Sequence, residues 1–263
     1  MTSETLVSQP LTPQDFSMLE CCYISVEIAA AAGIYRVPSL EGRALLGRKD
    51  SGDYSGLVFV YRWPGDSYAY LHRLRLDHPP WEGGKSQYRY LTAAGTRNRL
   101  YLPPCDPMLL DNLNLPLLIT EGEKKCLALW RMALESGNGT GSPAFVPVGL
   151  PGVYGWRGTI GSGSDSHGQR IPEKGPISDL NRIAWLNRRV TILFDSNTTK
   201  NLKVQYARRD LARELAHRGA NVWIADLPDA VGSTAATTIC ICSARRNWRR
   251  CSGRRIATIG GAN

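Results

Sequence analysis

Two acidic residues stand where they could hold a divalent cation. Glu121 ends the apolar run Leu117-Leu118-Ile119-Thr120, and Asp195 ends Val190-Thr191-Ile192-Leu193-Phe194. Each run has strand length, stops at an acid and then enters a helical pattern. In an open parallel sheet, side chains at the carboxyl ends of the strands line the ligand crevice. Two acids from different strands then converge on one spot, and hard cations prefer carboxylate oxygens. The chemistry this implies is binding of Mg²⁺ or Mn²⁺ together with a phosphate substrate.

Glu121 has two functional readings, a metal ligand (direct or through water) or a general base on an attacking hydroxyl. The plain alternative is a solvated acid favoured by a helix N-terminus. Gly122 allows close backbone approach of a phosphate, and Lys124 and Lys125 could neutralise its oxygens. Asp195 directly follows an apolar strand, where an unengaged carboxylate would be poorly solvated. Asn197 offers an amide oxygen as a further ligand. The expected catalytic residues are therefore Glu121, Asp195 and Lys124, the metal ligands Glu121, Asp195 and Asn197, and the phosphate contacts Gly122 and Lys125.

A second pattern lies upstream. Arg73, Arg75, Lys85, Arg97 and Arg99 are interleaved with Tyr68, Tyr70, Tyr88, Tyr90 and Tyr101. Basic and aromatic side chains together suit a nucleic-acid single strand, by phosphate neutralisation and base stacking. Arg73, Arg75, Arg97 and Arg99 are the expected nucleic-acid contacts. A two-faced sheet with aromatics inside and charges outside explains the same pattern. Gly84-Lys85-Ser86 is no P-loop ending, because Pro79 occupies the place of the first glycine. Cys240, Cys242 and Cys251 lack a fourth zinc ligand at suitable spacing.

The elements that position these residues fall into two regions. Residues 1–112 read as a smaller mixed α+β unit. It has short helices over Pro13 to Glu20 and Ser25 to Ala32, the second closed by Gly33. Strands follow over Gly56 to Tyr61 and Ser67 to Arg75, turned by Pro64-Gly65-Asp66. Lys85 to Leu91 and Arg99 to Leu102 read as further extended segments. Residues 113–228 read as an α/β unit with strands over Pro116 to Thr120, Ala144 to Val148, Arg189 to Phe194 and Asn221 to Leu227. Helices over Gly122 to Leu134 and Lys203 to His217 alternate with them, and Leu127, Trp130 and Leu134 mark the buried stripe of the first. Residues 157–177, rich in Gly and Ser, read as a mobile loop. Such alternation implies a mainly parallel, doubly wound sheet.

The 263 residues are 43% hydrophobic, which suits one or two globular domains. No apolar run approaches the roughly 18 residues that cross a bilayer, and Met1 to Pro10 lacks the features of a signal peptide. Seven scattered cysteines argue for a reducing cytoplasm over a disulfide framework. The net charge of +9 favours a polyanionic partner. Residues 229–263 carry six Arg and one acid, so 6 − 1 = +5 of that charge lies there. By composition this tail reads as a basic nucleic-acid-binding segment.

Ile119-Thr120-Glu121-Gly122-Glu123-Lys124-Lys125, Gly149-Leu150-Pro151-Gly152-Val153-Tyr154-Gly155-Trp156 and Phe194-Asp195-Ser196-Asn197 occur in that order. With Tyr90-Leu91-Thr92-Ala93-Ala94-Gly95-Thr96-Arg97-Asn98-Arg99-Leu100-Tyr101 upstream, the set resembles the TOPRIM domain of bacterial primases, topoisomerases and some nucleases. It is closer still to a TOPRIM-like family of unknown function from primase-helicase proteins of phages and integrative elements. The resemblance covers roughly residues 10–228. It implies a Rossmann-like TOPRIM fold behind a primase-like basic subdomain, and Mg²⁺-dependent nucleotidyl transfer in DNA replication. It further implies single-stranded DNA and nucleotides as partners, with a helicase domain or protein encoded by the same element. Asn197 departs from the family pattern, where a second Asp is usual, and so removes one negative charge. A degenerate nucleic-acid-binding module and a TOPRIM nuclease are the alternative readings.

The family also carries Gly-x-Asp-Asp-Tyr-Leu after its last TOPRIM strand. One allowed codon choice for the tail from Val231 onward, read in the neighbouring frame, gives Val-Asn-Gly-Cys-Asp-Asp-Tyr-Leu-Tyr-Leu-Phe-Gly-Pro-Glu-Lys-Leu. Its Asp-Asp pair falls on the codons of Ala236, Thr237 and Thr238. Residues 229–263 are accordingly read as an out-of-frame tail with no packing constraint of its own. Reading the gene checks this directly. The actual codons are expected to spell the Asp-Asp-Tyr-Leu segment one frame over, and codons that do not spell it refute the frameshift.

Overall fold

The computed structural model describes residues 8–137, 141–194, 201–225 and 254–255. The first half begins with α1 (Pro13–Cys21). The Thr12 hydroxyl accepts the Asp15 N–H at 3.2 Å while the Asp15 carboxylate accepts the Thr12 N–H at 2.9 Å, a reciprocal cap ahead of which the chain cannot stay helical. Next come α2 (Val26–Ala31), β1 (Tyr35–Val37), α3 (Ser39–Leu46), β2 (Gly56–Tyr61) and β3 (Leu71–Leu76). β4 (Trp81–Glu82), β5 (Lys85–Ser86), β6 (Tyr90–Leu91) and α4 (Met108–Asp111) complete this half.

β1, β2, β3 and β6 form an antiparallel sheet in the order β1-β2-β3-β6. Every residue of β2 is buried, because both faces of this strand are covered. Leu57, Phe59 and Tyr61 point into one core with α1 and α2, while Val58 joins Leu46, Tyr54 and Leu74 in another.

The second half runs through β7 (Leu117–Glu121), α5 (Glu123–Glu135), β8 (Val146–Leu150), β9 (Arg157–Ser164) and β10 (Arg170–Pro176). A 3₁₀ turn over Ser178–Arg182 leads to β11 (Arg189–Leu193), α6 (Leu202–His217), β12 (Asn221–Ala225) and β13 (Arg254–Arg255). The five-stranded sheet has the order β13-β12-β11-β7-β8 and is parallel except for β13. Leu118 and Leu193 face α5, whereas Leu117, Ile119, Val190 and Ile192 face Leu211, Ala212 and Leu215 of α6. With a helix on each face, apolar residues fill both sides of the strands, which is why these runs lack alternation.

The core around α5 also contains Leu19, Ile28, Phe59 and Tyr61, so the two halves share one apolar interior. Several sequence expectations change. Residues 157–177 form the antiparallel hairpin β9–β10, registered from Arg170 opposite Ser164 to Pro176 opposite Arg157. Most of its residues are exposed on both faces, so no alternating apolar pattern marks it. The third strand of the first half starts at Leu71 and not at Ser67. The extended segment expected over Lys85 to Leu91 is divided between β5 and β6, and Arg99 to Leu102 contributes only a bridge from Tyr101 to Gly149. Leu134 is 41% exposed, and the buried stripe of α5 runs instead through Cys126, Leu127, Leu129, Trp130 and Ala133. β1, α3 and α4 had no clear pattern in the sequence. The tail lies outside the described residues apart from Arg254–Arg255, which pairs with Trp223 and Ile224 of β12.

One buried cation sets the spacing of the two central strands. Arg188 is 0% exposed, and its guanidinium donates to the carbonyls of Leu115 and Leu109 at 2.7 Å each, of Ala184 at 3.2 Å and of Leu110. It thereby ties the chain entering β7 to the chain entering β11. Arg188→Met leaves these carbonyls without their donor, at about 1–3 kcal/mol for each one unsatisfied. The expected loss is therefore at least about 3 kcal/mol in urea unfolding. A loss under about 1 kcal/mol would show that water or neighbouring N–H groups replace it.

Candidate active site

Glu121 is the last residue of β7, opposite Leu150 of β8. Gly122 follows with φ +91°, ψ 152°, a conformation that side chains disfavour, and the chain turns there directly into α5. The Gly122 N–H donates to the Leu150 carbonyl at 2.8 Å. A phosphate reaching Gly122 therefore meets its bare α-carbon and not a free N–H. Gly149 closes the same corner, since a side chain there would press on Cys126, Tyr101 and the Gly122 carbonyl at 3.1–3.3 Å. On the neighbouring strand, Leu193 pairs with Thr120, so β11 ends level with the end of β7. Asp195 and Asn197 lie outside the described residues.

Glu121, Gly122, Lys124 and Lys125 line one cleft of about 380 Å³, together with Arg73 and Tyr90 from the first half. A smaller cleft of about 120 Å³ contains Arg97 and Arg99. Arg73, Tyr90 and Pro151 border both clefts, so the two adjoin. The residues expected to meet phosphate and those expected to meet a nucleic-acid strand thus share a groove between the two sheets.

The floor of that groove is held by Glu123, which is 2% exposed. Its Oε1 accepts the Arg73 guanidinium at 2.8 Å and the Tyr61 hydroxyl. Burial, reinforced by the Glu123 charge, pushes the Tyr61 hydroxyl pKa well above its usual range. Burial opposes the Arg73 charge, but Glu123 and Tyr61 outweigh it and raise its pKa. Arg73 is thus already bound to a carboxylate, and its guanidinium lies over the Tyr90 ring at 5.1 Å. Arg99 is similarly engaged, 3.0 Å from the buried carboxylate of Asp179 and 4.1 Å above the Tyr70 ring. Of the four expected nucleic-acid arginines, these two have partners inside the protein. Arg97 is exposed, and Arg75 is partly buried with its Nε lacking a hydrogen-bond partner. Nothing in the sequence marks Glu123 and Asp179 as the anions for Arg73 and Arg99, because the partners lie 50 and 80 residues apart.

Lys124 sits in the larger cleft with its ammonium 3.5 Å from the Cys22 sulfur. Burial is the main influence on it and lowers its pKa, Cys22 opposes the shift, and Arg75 and Arg89 add to it. Arg75 and Arg89 thus add positive charge around Lys124, which shares the cleft with Glu121, a setting that favours a polyanion. The residues Cys22 and Arg89 were not anticipated from sequence.

A family model described as a domain of unknown function (DUF3854) matches residues 107–233, a span that holds β7 to β12. A search of curated proteins gives no match. Among solved structures, the crystal structure of the Aquifex aeolicus primase (zinc-binding and RNA polymerase domains) is similar, with a TM-score of 0.57 and 13% identity. The similarity covers 93% of this chain and 57% of that one. At this identity the likeness is one of fold: the chain has a primase-like fold, a mixed α/β structure with one mainly parallel and one antiparallel sheet. Among the described residues no helix is long and apolar enough to cross a membrane.

The buried Glu123 and the partly buried Lys124 predict opposite responses. Glu123→Leu strands Arg73 and the Tyr61 hydroxyl, and should cost about 3–5 kcal/mol. Lys124 behaves differently, because its lowered pKa means the unfolded chain binds more protons between the folded and unfolded values. Stability there rises with pH. Lys124→Met removes the partly buried charge and should raise the melting temperature, by about 2–4 °C for each ~1 kcal/mol released. It should also weaken tripolyphosphate binding. A Lys124→Met protein that melts lower than the parent would show that the ammonium stabilises the fold.

Proposed function

We propose that this chain is a TOPRIM-class protein of a mobile genetic element that carries out Mg²⁺-dependent, primase-like nucleotidyl transfer on single-stranded DNA. The observation that supports this most is the groove. Glu121 stands at the carboxyl end of a central parallel strand, beside Lys124, in a cleft shared by both sheets. The likeness to the fold of a bacterial primase agrees with it.

The residues fit a hard divalent cation in donor type. Glu121 brings a carboxylate to the cleft, and Asp195 and Asn197 would add a carboxylate and an amide oxygen. Glu123 is not part of this set, since Arg73 and Tyr61 occupy its carboxylate. Among the described residues no three His, Cys, Asp or Glu side chains gather as a ligand set, so the reading depends on residues from the β11 end. A bound cation would supply Lewis-acid polarisation of phosphate oxygens. Lys124 would neutralise phosphate charge, its own charge being favoured once an anion is beside it. Tyr90 and Arg97 would border the path of the template strand.

Asn197 supports a second reading, a nucleic-acid-binding module that has lost catalysis, because one expected negative charge is missing. Calorimetry with Mn²⁺ and a primer-synthesis assay on single-stranded DNA separate the two. Weak Mn²⁺ binding is expected, abolished by Glu121→Gln or Asp195→Ala and tightened about tenfold or more by Asn197→Asp, equivalent to ~1.4 kcal/mol. Binding that ignores Asp195→Ala overturns the metal site. Cation binding without nucleotide incorporation, even after Asn197→Asp, selects the binding module, and strand cleavage without nucleotides selects a nuclease.

A further inference from the structure

The aromatics of the first half divide sharply by environment. Tyr70 lies under Arg99, Tyr90 under Arg73, and the Tyr101 ring packs 4.9 Å from Tyr61. Each of these rings already has a partner inside the protein. Trp81, by contrast, is 69% exposed, and Tyr88 is 46% exposed. Trp63, Trp130, Trp156 and Trp185 are all at most 6% exposed.

Trp81 is also held on a built arm. The chain leaves β3 at Leu76 and returns at Arg89, whose carbonyl accepts the Leu76 N–H at 2.9 Å. Between them β4 and β5 pair as a hairpin, Trp81 opposite Ser86, turned by Gly83 and Gly84 with φ of +60° and +76°. The Gln87 N–H closes the base on the Pro80 carbonyl at 3.0 Å, and Pro79-Pro80 stiffens the approach to Trp81. Acids near the root have partners, Asp77 the Arg36 guanidinium that also holds Asp15, and Asp53 the His78 ring. Arg75 and Arg89 remain, within electrostatic reach of Lys124 in the larger cleft. The hairpin's return strand runs directly into Tyr90, which borders both clefts.

We infer that the β4–β5 hairpin is a stacking arm for single-stranded nucleic acid, with Trp81 as the platform for one base and the neighbouring cations meeting the backbone. An exposed indole gives base affinity without sequence preference, and the arm's return strand leads into Tyr90 at the groove. Charge complementarity favours this occupant over a second copy of the chain, since both faces would carry the same cations. The inference deepens the nucleic-acid part of the proposed function and rests on it.

The test is fluorescence anisotropy with a labelled oligo-dT on the full chain, in a salt series. Trp81→Ala should raise Kd by about 5- to 100-fold, the size of one lost base stack, with the salt slope unchanged. Trp81→Phe should keep Kd within about threefold of the parent, because a ring face remains. The melting temperature should not move, as the ring is exposed. In the parent, oligo-dT should protect Trp81 from acrylamide quenching, and Trp81→Phe should abolish that protection. A Trp81→Ala protein binding within about twofold of the parent overturns the arm. So does a parent that does not bind oligo-dT, or a Trp81-dependent dimer in sedimentation. Mn²⁺ binding at Glu121 is read separately: if it persists while Trp81→Ala binds DNA normally, the arm fails and the metal reading stands.

Discussion

The buried carboxylate of Glu123 is the point on which this architecture turns. It belongs to the first turn of α5, immediately after the corner that presents Glu121, yet both of its partners come from the antiparallel sheet. A carboxylate this deep persists only where it is paired and hydrogen-bonded, and Arg73 with Tyr61 meets that requirement. The groove between the sheets thus has a fixed floor. Tyr90, stacked with Arg73, and Lys124, next to Glu123 in the helix, take their places from it.

That arrangement separates two kinds of charge that look alike in the sequence. Arg73 and Arg99 answer buried acids and hold elements together, while Arg75 and Arg89 add to the burial that disfavours the Lys124 charge. An anion entering the groove beside Lys124 would offset the burial and the neighbouring positive charge that disfavour its ammonium. The same division applies to the rings. Those nearest the sheet are packed or covered by guanidinium groups, and the open ones stand further out.

How much of this was legible beforehand depends on the range of the interactions. The parallel strands announced themselves as apolar runs ending in polar residues, and α5 and α6 as three-and-four spacing. Both are local patterns imposed by burial on two faces. The Glu121–Gly122 corner was visible for the same reason. The hairpin β9–β10 was hidden because neither face is buried, so nothing constrains its side chains to alternate. The pairing of Glu123 with Tyr61 and Arg73, and of Arg99 with Asp179, was invisible because it joins distant segments. An arginine beside a tyrosine reads as a nucleic-acid contact until the buried acid that claims it is known. Asp195, Asn197 and the tail apart from Arg254–Arg255 lie outside the described residues.

The hairpin β9–β10 has a consequence for how such a chain can vary. It lies in sequence between β8 and β11, but it adds no strand to the five-stranded sheet. The register of β11 on β7 is set by strand pairing and by Arg188, so it does not depend on how much chain intervenes. This arm can therefore lengthen, shorten or acquire a new module while Glu121 keeps its neighbours. It is a growth point, where a lineage can gain a new appendage without disturbing the chemistry at the strand ends.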